Sequence, residues 1–140
     1  MPNDSELVDT LAGFALFADL DLAALERVAH MTEEVVFPAG ARVIRQGLSG
    51  SGLHVILEGA AAVVIDGNER ARFGPGDFFG EISVLLGVAP VADIVAVQHL
   101  RALVLAGPET EGFLLSNPPV MYRMLQAMAR RLRAANRWSG

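Results

Sequence analysis

Glycine and proline cut the middle of this chain into short apolar runs, and their spacing restricts the fold more than any other feature. Residues 35–37 (Val-Val-Phe) stop at Pro38-Ala39-Gly40. Residues 42–46 alternate in polarity and stop at Gly47, which opens the segment Gly47-Leu48-Ser49-Gly50-Ser51-Gly52. Residues 53–57 form an apolar run that ends at Glu58-Gly59. Residues 60–65 form another, ending at Asp66-Gly67-Asn68, a hairpin loop by its composition. Residues 70–73 make the return strand, and residues 99–105 a further one, up to Gly107-Pro108. Strands at about eight- to twelve-residue spacing, separated by glycine turns, predict an antiparallel sandwich or roll.

The two flanks carry a helical period instead. Leu7, Leu11, Phe14 and Phe17 recur at three- and four-residue spacing, the repeat of one helix face. Gly13 ends or bends that piece, and Asp19-Leu20-Asp21 reads as a cap. Leu22, Leu25, Val28 and Ala29 form a second face, ending near Met31. At the other end, Pro108 suits the first helical position, with Glu109 and Glu111 in the first turn. Asn117-Pro118 breaks this helix and starts another. There Met121, Leu125, Met128, Leu132 and Ala135 recur at 4-3-4-3 spacing, the seam of a coiled coil. Tyr122, Met124 and Trp138 add apolar surface beyond one stripe. Pairing with a second copy is therefore expected, with packing on the chain's own domain as the alternative. Helices over about 5–34, strands over about 35–107 and helices over about 108–137 predict one α+β domain spanning residues 1–140.

Composition removes several functions. The 140 residues are 52% hydrophobic, which excludes a disordered chain. There is no cysteine, so disulfides, iron–sulfur clusters, cysteine zinc sites and thiol catalysis are excluded. No basic stretch precedes an N-terminal apolar run, and no apolar run reaches the ~20 residues of a membrane span. A cytoplasmic protein without a membrane span is expected. All acidic residues precede Asn117, whereas Arg123, Arg130, Arg131, Arg133 and Arg137 follow it. An acidic body argues against non-specific nucleic-acid binding. The basic tail reads either as arginine placed near a helix C-terminus or as a docking surface for an acidic partner. His30, His54 and His99 sit on different elements without metal spacing, and a polar tip on a half-buried element accounts for each. No nucleophile is paired with a base, and no Gly-Lys-Ser/Thr phosphate loop is present. Neither enzyme activity, catalytic residues, a bound metal nor a cofactor is expected.

Residues 73–96 concentrate what remains. Gly74-Pro75-Gly76-Asp77 is a tight turn, followed by Phe78-Phe79-Gly80-Glu81 and a short apolar segment that reads as one or two helical turns. Backbone N–H groups at such a helix start suit an anion. Glu81 is placed to accept hydrogen bonds from a sugar hydroxyl, or else is a structural carboxylate or an ion-pair member.

The order of elements and the glycine pattern resemble the cyclic-nucleotide-binding domain family, the sensor domain of catabolite-activator-type regulators, cyclic-nucleotide-dependent kinases and gated channels. The matching residues are Phe37-Pro38-Ala39-Gly40, then Gly47, Gly50 and Gly59 around Leu53-His54-Val55-Ile56-Leu57, then Gly74-Pro75-Gly76-Asp77-Phe78-Phe79-Gly80-Glu81. The likeness covers roughly residues 10–137. It implies an antiparallel β-roll, jelly-roll-like, flanked by N-terminal helices and a C-terminal helix pair. It implies a ligand site of Phe79, Gly80, Glu81, Ile82, Ser83, Val91 and Ala92. Glu81 would take the ribose 2′-hydroxyl, and the amides of Ile82 and Ser83 would face the phosphate. The family's phosphate-pairing arginine has no match. Its position is Pro90, followed by Val91 and Ala92, and no arginine or lysine occurs between residues 73 and 100. Asp93 adds a negative charge nearby. The resemblance thus implies a sensor binding cyclic AMP or cyclic GMP weakly through a degenerate phosphate-binding cassette. The alternative is a ligand-independent dimerisation or interaction module. In the family the DNA-reading element follows the long C-terminal helix. This chain stops at Gly140, so it is not expected to bind DNA by itself.

Overall fold

The computed structural model describes residues 4–48 and 52–136. Gly50 and Trp138, noted above for a turn and an apolar surface, lie outside the described residues. Helix α1 (Asp4–Ala12) buries Val8 and Leu11. A 3₁₀ turn at Ala15–Phe17 buries Leu16 and Phe17. Helix α2 (Leu22–Met31) starts at Asp21, whose carboxylate accepts from the Ala24 N–H at 2.8 Å, and it buries Ala24, Leu25 and Val28.

Among the described residues eight strands follow: β1 (Glu33–Phe37), β2 (Arg42–Ile44), β3 (Leu53–Glu58), β4 (Ala61–Ile65), β5 (Asn68–Phe73), β6 (Phe78–Phe79), β7 (Asp93–Ala96) and β8 (Leu100–Leu105). Helix α3 (Glu81–Leu86) stands between β6 and β7. The strands form two four-stranded antiparallel sheets, ordered β1-β8-β3-β6 and β2-β7-β4-β5. The chain crosses repeatedly from one sheet to the other, which makes the pair a β-roll.

The alternation of side chains decides which core each strand feeds. On β3, Leu53, Val55 and Leu57 enter a core shared with the helices, together with Leu11, Phe17, Phe113 and Met124. Ile56 points the other way, between the sheets, with Ile44, Phe79, Ile94 and Leu100. Burial on both faces is why β3 reads as an unbroken apolar run. It ends at Gly59, where φ is +95° and a Cβ would collide with the carbonyl of His99.

Strand β1 begins at Glu33, two residues before the break in pattern at Val35, because Glu33 and Glu34 pair with Val104 and Leu103 of β8. Strand β6 is only Phe78 and Phe79, paired with Val55 and His54, too short to show as a run.

Helices α4 (Gly107–Ser116) and α5 (Pro118–Asn136) close the chain. The five residues read as one seam on α5 do not share one environment. Leu125 and Leu132 are each 62% exposed and Met121 is also exposed. Met128 instead packs against the helical core, and Ala135 lines a cavity described below. Val120 and Met124, on the neighbouring face, are the residues that α5 buries. Arg123 links α5 to the segment after the 3₁₀ turn with a two-pronged pair to Asp19, at 2.8 and 3.2 Å.

Candidate functional site

The turn at 74–77 is clamped on β3. The Gly76 N–H donates to the Ile56 carbonyl and the Ile56 N–H to the Asp77 carbonyl, both at 2.9 Å. Within the turn, the Asp77 carboxylate accepts from the Gly74 N–H at 2.9 Å. This holds β6 in place and delivers Gly80 to the start of α3 with φ at +87°. A Cβ at Gly80 would strike the Gly52 carbonyl oxygen, so only glycine allows this approach. At the far end, Gly87 ends α3 in the left-handed region, with its N–H on the Ser83 carbonyl.

All seven residues expected at the site line one cavity of about 490 Å³: Phe79, Gly80, Glu81, Ile82, Ser83, Val91 and Ala92. Val63, Ile65 and Phe73 form its wall from β4 and β5, and Ala134 and Ala135 of α5 lie over it. The last turns of α5 are therefore part of the enclosure.

Glu81 is only 7% exposed and has a cation partner that no sequence pattern assigned to it. Arg131 of α5 lies with Nη1 3.4 Å from Glu81 Oε1, and its Nη2 donates to the Phe78 carbonyl. The guanidinium sits 4.3 Å from the ring centroids of both Phe73 and Phe78. Burial pulls the Arg131 pKa down, while the charges of Glu81 and Asp77 and the hydrogen bond to Glu81 push it back up. A guanidinium holds its charge throughout the biological range, so the Glu81–Arg131 pair is internally compensated.

The position of Pro90 also becomes clear. Its carbonyl accepts from the Gly47 N–H at 2.8 Å, which ties the end of the cassette to the turn after β2, and Pro90 lines the cavity. Asp93 does not face the cavity as a repelling charge. Its carboxylate accepts from the Gln46 N–H at 2.7 Å and it is absent from the lining. The cavity's other cation, Arg70, reaches it from the edge strand β5, not from the cassette.

Behind Phe79 lies His54, 5% exposed and stacked on the Phe79 ring at 4.7 Å between centroids. It is buried where a half-buried polar tip was expected. Burial lowers its pKa, and the hydrogen bond from Nδ1 to the Gly52 carbonyl opposes that. Among the described residues no group of three or more His, Cys, Asp or Glu could hold a metal ion, and no helix is long and apolar enough to cross a membrane.

A β-roll of two antiparallel sheets encloses a cavity between a glycine-entered helix and a C-terminal helix lying over it, the architecture of a helix-flanked β-roll domain. Residues 34–117 match the cyclic nucleotide-binding domain, and the chain belongs to that family. A CRP-like cAMP-activated global transcriptional regulator of Mycobacterium tuberculosis is 26% identical over 133 residues, 91% of this chain and 59% of the regulator. The chain thus spans little more than half of that relative. The regulatory subunit of a cAMP-independent protein kinase A from Trypanosoma brucei, in a mutant bound to cAMP in the A site, superposes with a TM-score of 0.77 at 31% identity. That match covers 89% of this chain and 46% of the other. The corresponding subunit from Trypanosoma cruzi, bound to guanosine, superposes with a TM-score of 0.75 at 26% identity, over 88% of this chain and 45% of the other.

Proposed function

We propose that this domain is a regulatory module, not an enzyme, whose cavity takes an uncharged nucleoside-type ligand and binds cyclic AMP or cyclic GMP only weakly. The carrying observation is the Glu81–Arg131 pair, set in a cassette with Pro90 where the phosphate's cation would stand. A cyclic phosphate would bring a full negative charge to Gly80, Ile82 and Ser83 with no cation of the cassette to meet it. A hydrogen bond to a charged group contributes about 1.5–3 kcal/mol, so its loss costs roughly ten- to a hundredfold in affinity. A nucleoside makes no such demand. Its sugar hydroxyls would donate to the Glu81 carboxylate, which keeps acceptor capacity beyond its single bond to Arg131. Its base would lie against the apolar wall of Val63, Ile65 and Phe73.

The relatives support this reading. One is described as cAMP-independent, and its cAMP-bound form carries three changes: glutamate to alanine, threonine to arginine and valine to alanine. Its counterpart from Trypanosoma cruzi was captured with guanosine.

A second reading has its own observation. Tyr122, Leu125 and Leu132 are each more than half exposed along the outer side of α5, a surface suited to a second copy of the chain. This homodimer is compatible with ligand binding. It would also serve a module that binds no ligand at all.

Calorimetric titration with guanosine, adenosine, cyclic AMP and cyclic GMP tests the proposal. Saturable heat from a nucleoside, abolished by Glu81→Ala, is expected. No heat from any of the four up to millimolar concentration leaves the ligand-independent module.

A further inference from the structure

We propose that a second groove, separated from the first cavity by Ile44 and the Phe79–His54 stack, binds a small anion on a flat apolar body, a carboxylate or a phosphate ester with a hydrogen-bond donor. The groove has a volume of about 420 Å³ and lies between β1, β2 and β8. Ile44 lines both spaces. His54 lines the groove while its stacking partner Phe79 lines the cavity. The inference does not depend on what the first cavity binds.

Three groups give the groove its chemistry. Arg42 and Arg45 both line it, and neither forms an ion pair among the described residues. Arg72, Arg101, Arg123 and Arg131 each have a carboxylate partner; Arg27, Arg70, Arg130 and Arg133 have no ion pair among the described residues either, but none of these lines the groove. Two uncommitted guanidinium forks beside one depression match the planar oxygens of a carboxylate or phosphate. The third group is His54. Its Nδ1 lies 2.9 Å from the Gly52 carbonyl, which can only accept, so Nδ1 carries the proton. Nε2 is then a lone-pair acceptor, and it has no hydrogen-bond partner among the described residues. An acceptor on a residue that lines the groove can take a hydrogen bond from a donor on a ligand. Val35, Phe37 and Val104 supply the apolar walls for a flat body.

The test is an NMR titration of the full chain, following the His54 ring and the methyl groups of Val35 and Val104. The probes are 4-hydroxybenzoate, 4-hydroxyphenyl phosphate and, as the uncharged control, 4-hydroxybenzyl alcohol. At least one of the two anions should shift these signals saturably, and the tighter of the two identifies the head group. Replacing both cations, with Arg42→Ala and Arg45→Ala, should weaken that binding at least about tenfold. The neutral alcohol should bind at least about tenfold more weakly than the anion. Both arginines are exposed and unpaired, so the double variant should keep the fold, read from amide signals far from the groove. Three results would overturn the proposal: no saturation by either anion at concentrations on the order of 50 mM, equal binding of the alcohol, or a double variant that binds like the parent.

Discussion

Arg131 stands fifty residues along the chain from Glu81, yet it is the cation that meets that carboxylate in the cavity. A carboxylate that is 7% exposed would resist burial without a cation beside it. Arg131→Ala removes that cation together with two ring contacts. Breaking a buried pair costs about 3–5 kcal/mol. The Arg131 side chain is 28% exposed, so solvent screening reduces the expected loss to about 1–3 kcal/mol. Urea unfolding measures it, and Glu81→Gln made alongside should recover part, because the stranded charge goes too. Pro90→Arg tests the other half of the site. It should raise cyclic AMP affinity about tenfold or more by calorimetry, with Asp93 left in place because it holds the Gln46 N–H. His54 gives a pH dependence of known sign. Its folded pKa lies below the ordinary 6.5, so the unfolded chain takes up the proton first. The His54 contribution is complete above pH 6.5 and is lost as the pH falls from there towards the folded value. Its slope is at most about 1.4 kcal/mol per pH unit. His54→Phe keeps an aromatic ring against Phe79 and should remove that slope from unfolding curves taken across the window.

At the scale of elements, legibility followed from how many faces each one buries. Strand β3 was plain because both its faces are covered and the run is continuous. Strand β6 left no pattern, since two residues cannot show a period. The seven cassette residues could be placed in one cavity from the Gly80-Glu81 turn and the family resemblance. Arg131 could not, because a single cation in a basic tail has no local signal that names a partner on another element. One trace was available: Arg131 follows Val120 and Met124 at spacings of eleven and seven, which puts it on the face that α5 buries. Asp93 was misleading for the related reason that a side chain's direction off a strand depends on its register. The 4-3-4-3 pattern on α5 straddles two environments, with Met128 turned inward and Leu125 and Leu132 outward. Leu125→Glu with Leu132→Glu should therefore convert a dimer to a monomer in analytical ultracentrifugation without lowering stability. A dimer that survives both charges would place the contact elsewhere.

Across the whole molecule, the two sheets, the cassette and α5 converge on one enclosure. The sheets fix the cassette through the turn at 74–77 and through the bonds from Gly47 and Gln46. Helix α5 reaches the same enclosure through Arg131, Ala134 and Ala135, and it is held at its other end by Asp19. Any ligand under Ala134 and Ala135 is thus in contact with the helix whose outer side carries Tyr122, Leu125 and Leu132. What the enclosure selects depends on charge: Glu81 and Arg131 cancel, the cassette adds no cation, and Arg70 reaches the lining only from the edge strand β5. The most direct measurement is the ratio of affinities for adenosine and cyclic AMP, taken by calorimetry on one preparation of the unmodified chain. The two ligands share a base and a sugar and differ in the cyclic phosphate. Adenosine should bind at least about tenfold more tightly. Tighter binding of cyclic AMP by a similar factor would contradict a cavity without a cation for the phosphate and would point to Arg70 as that cation.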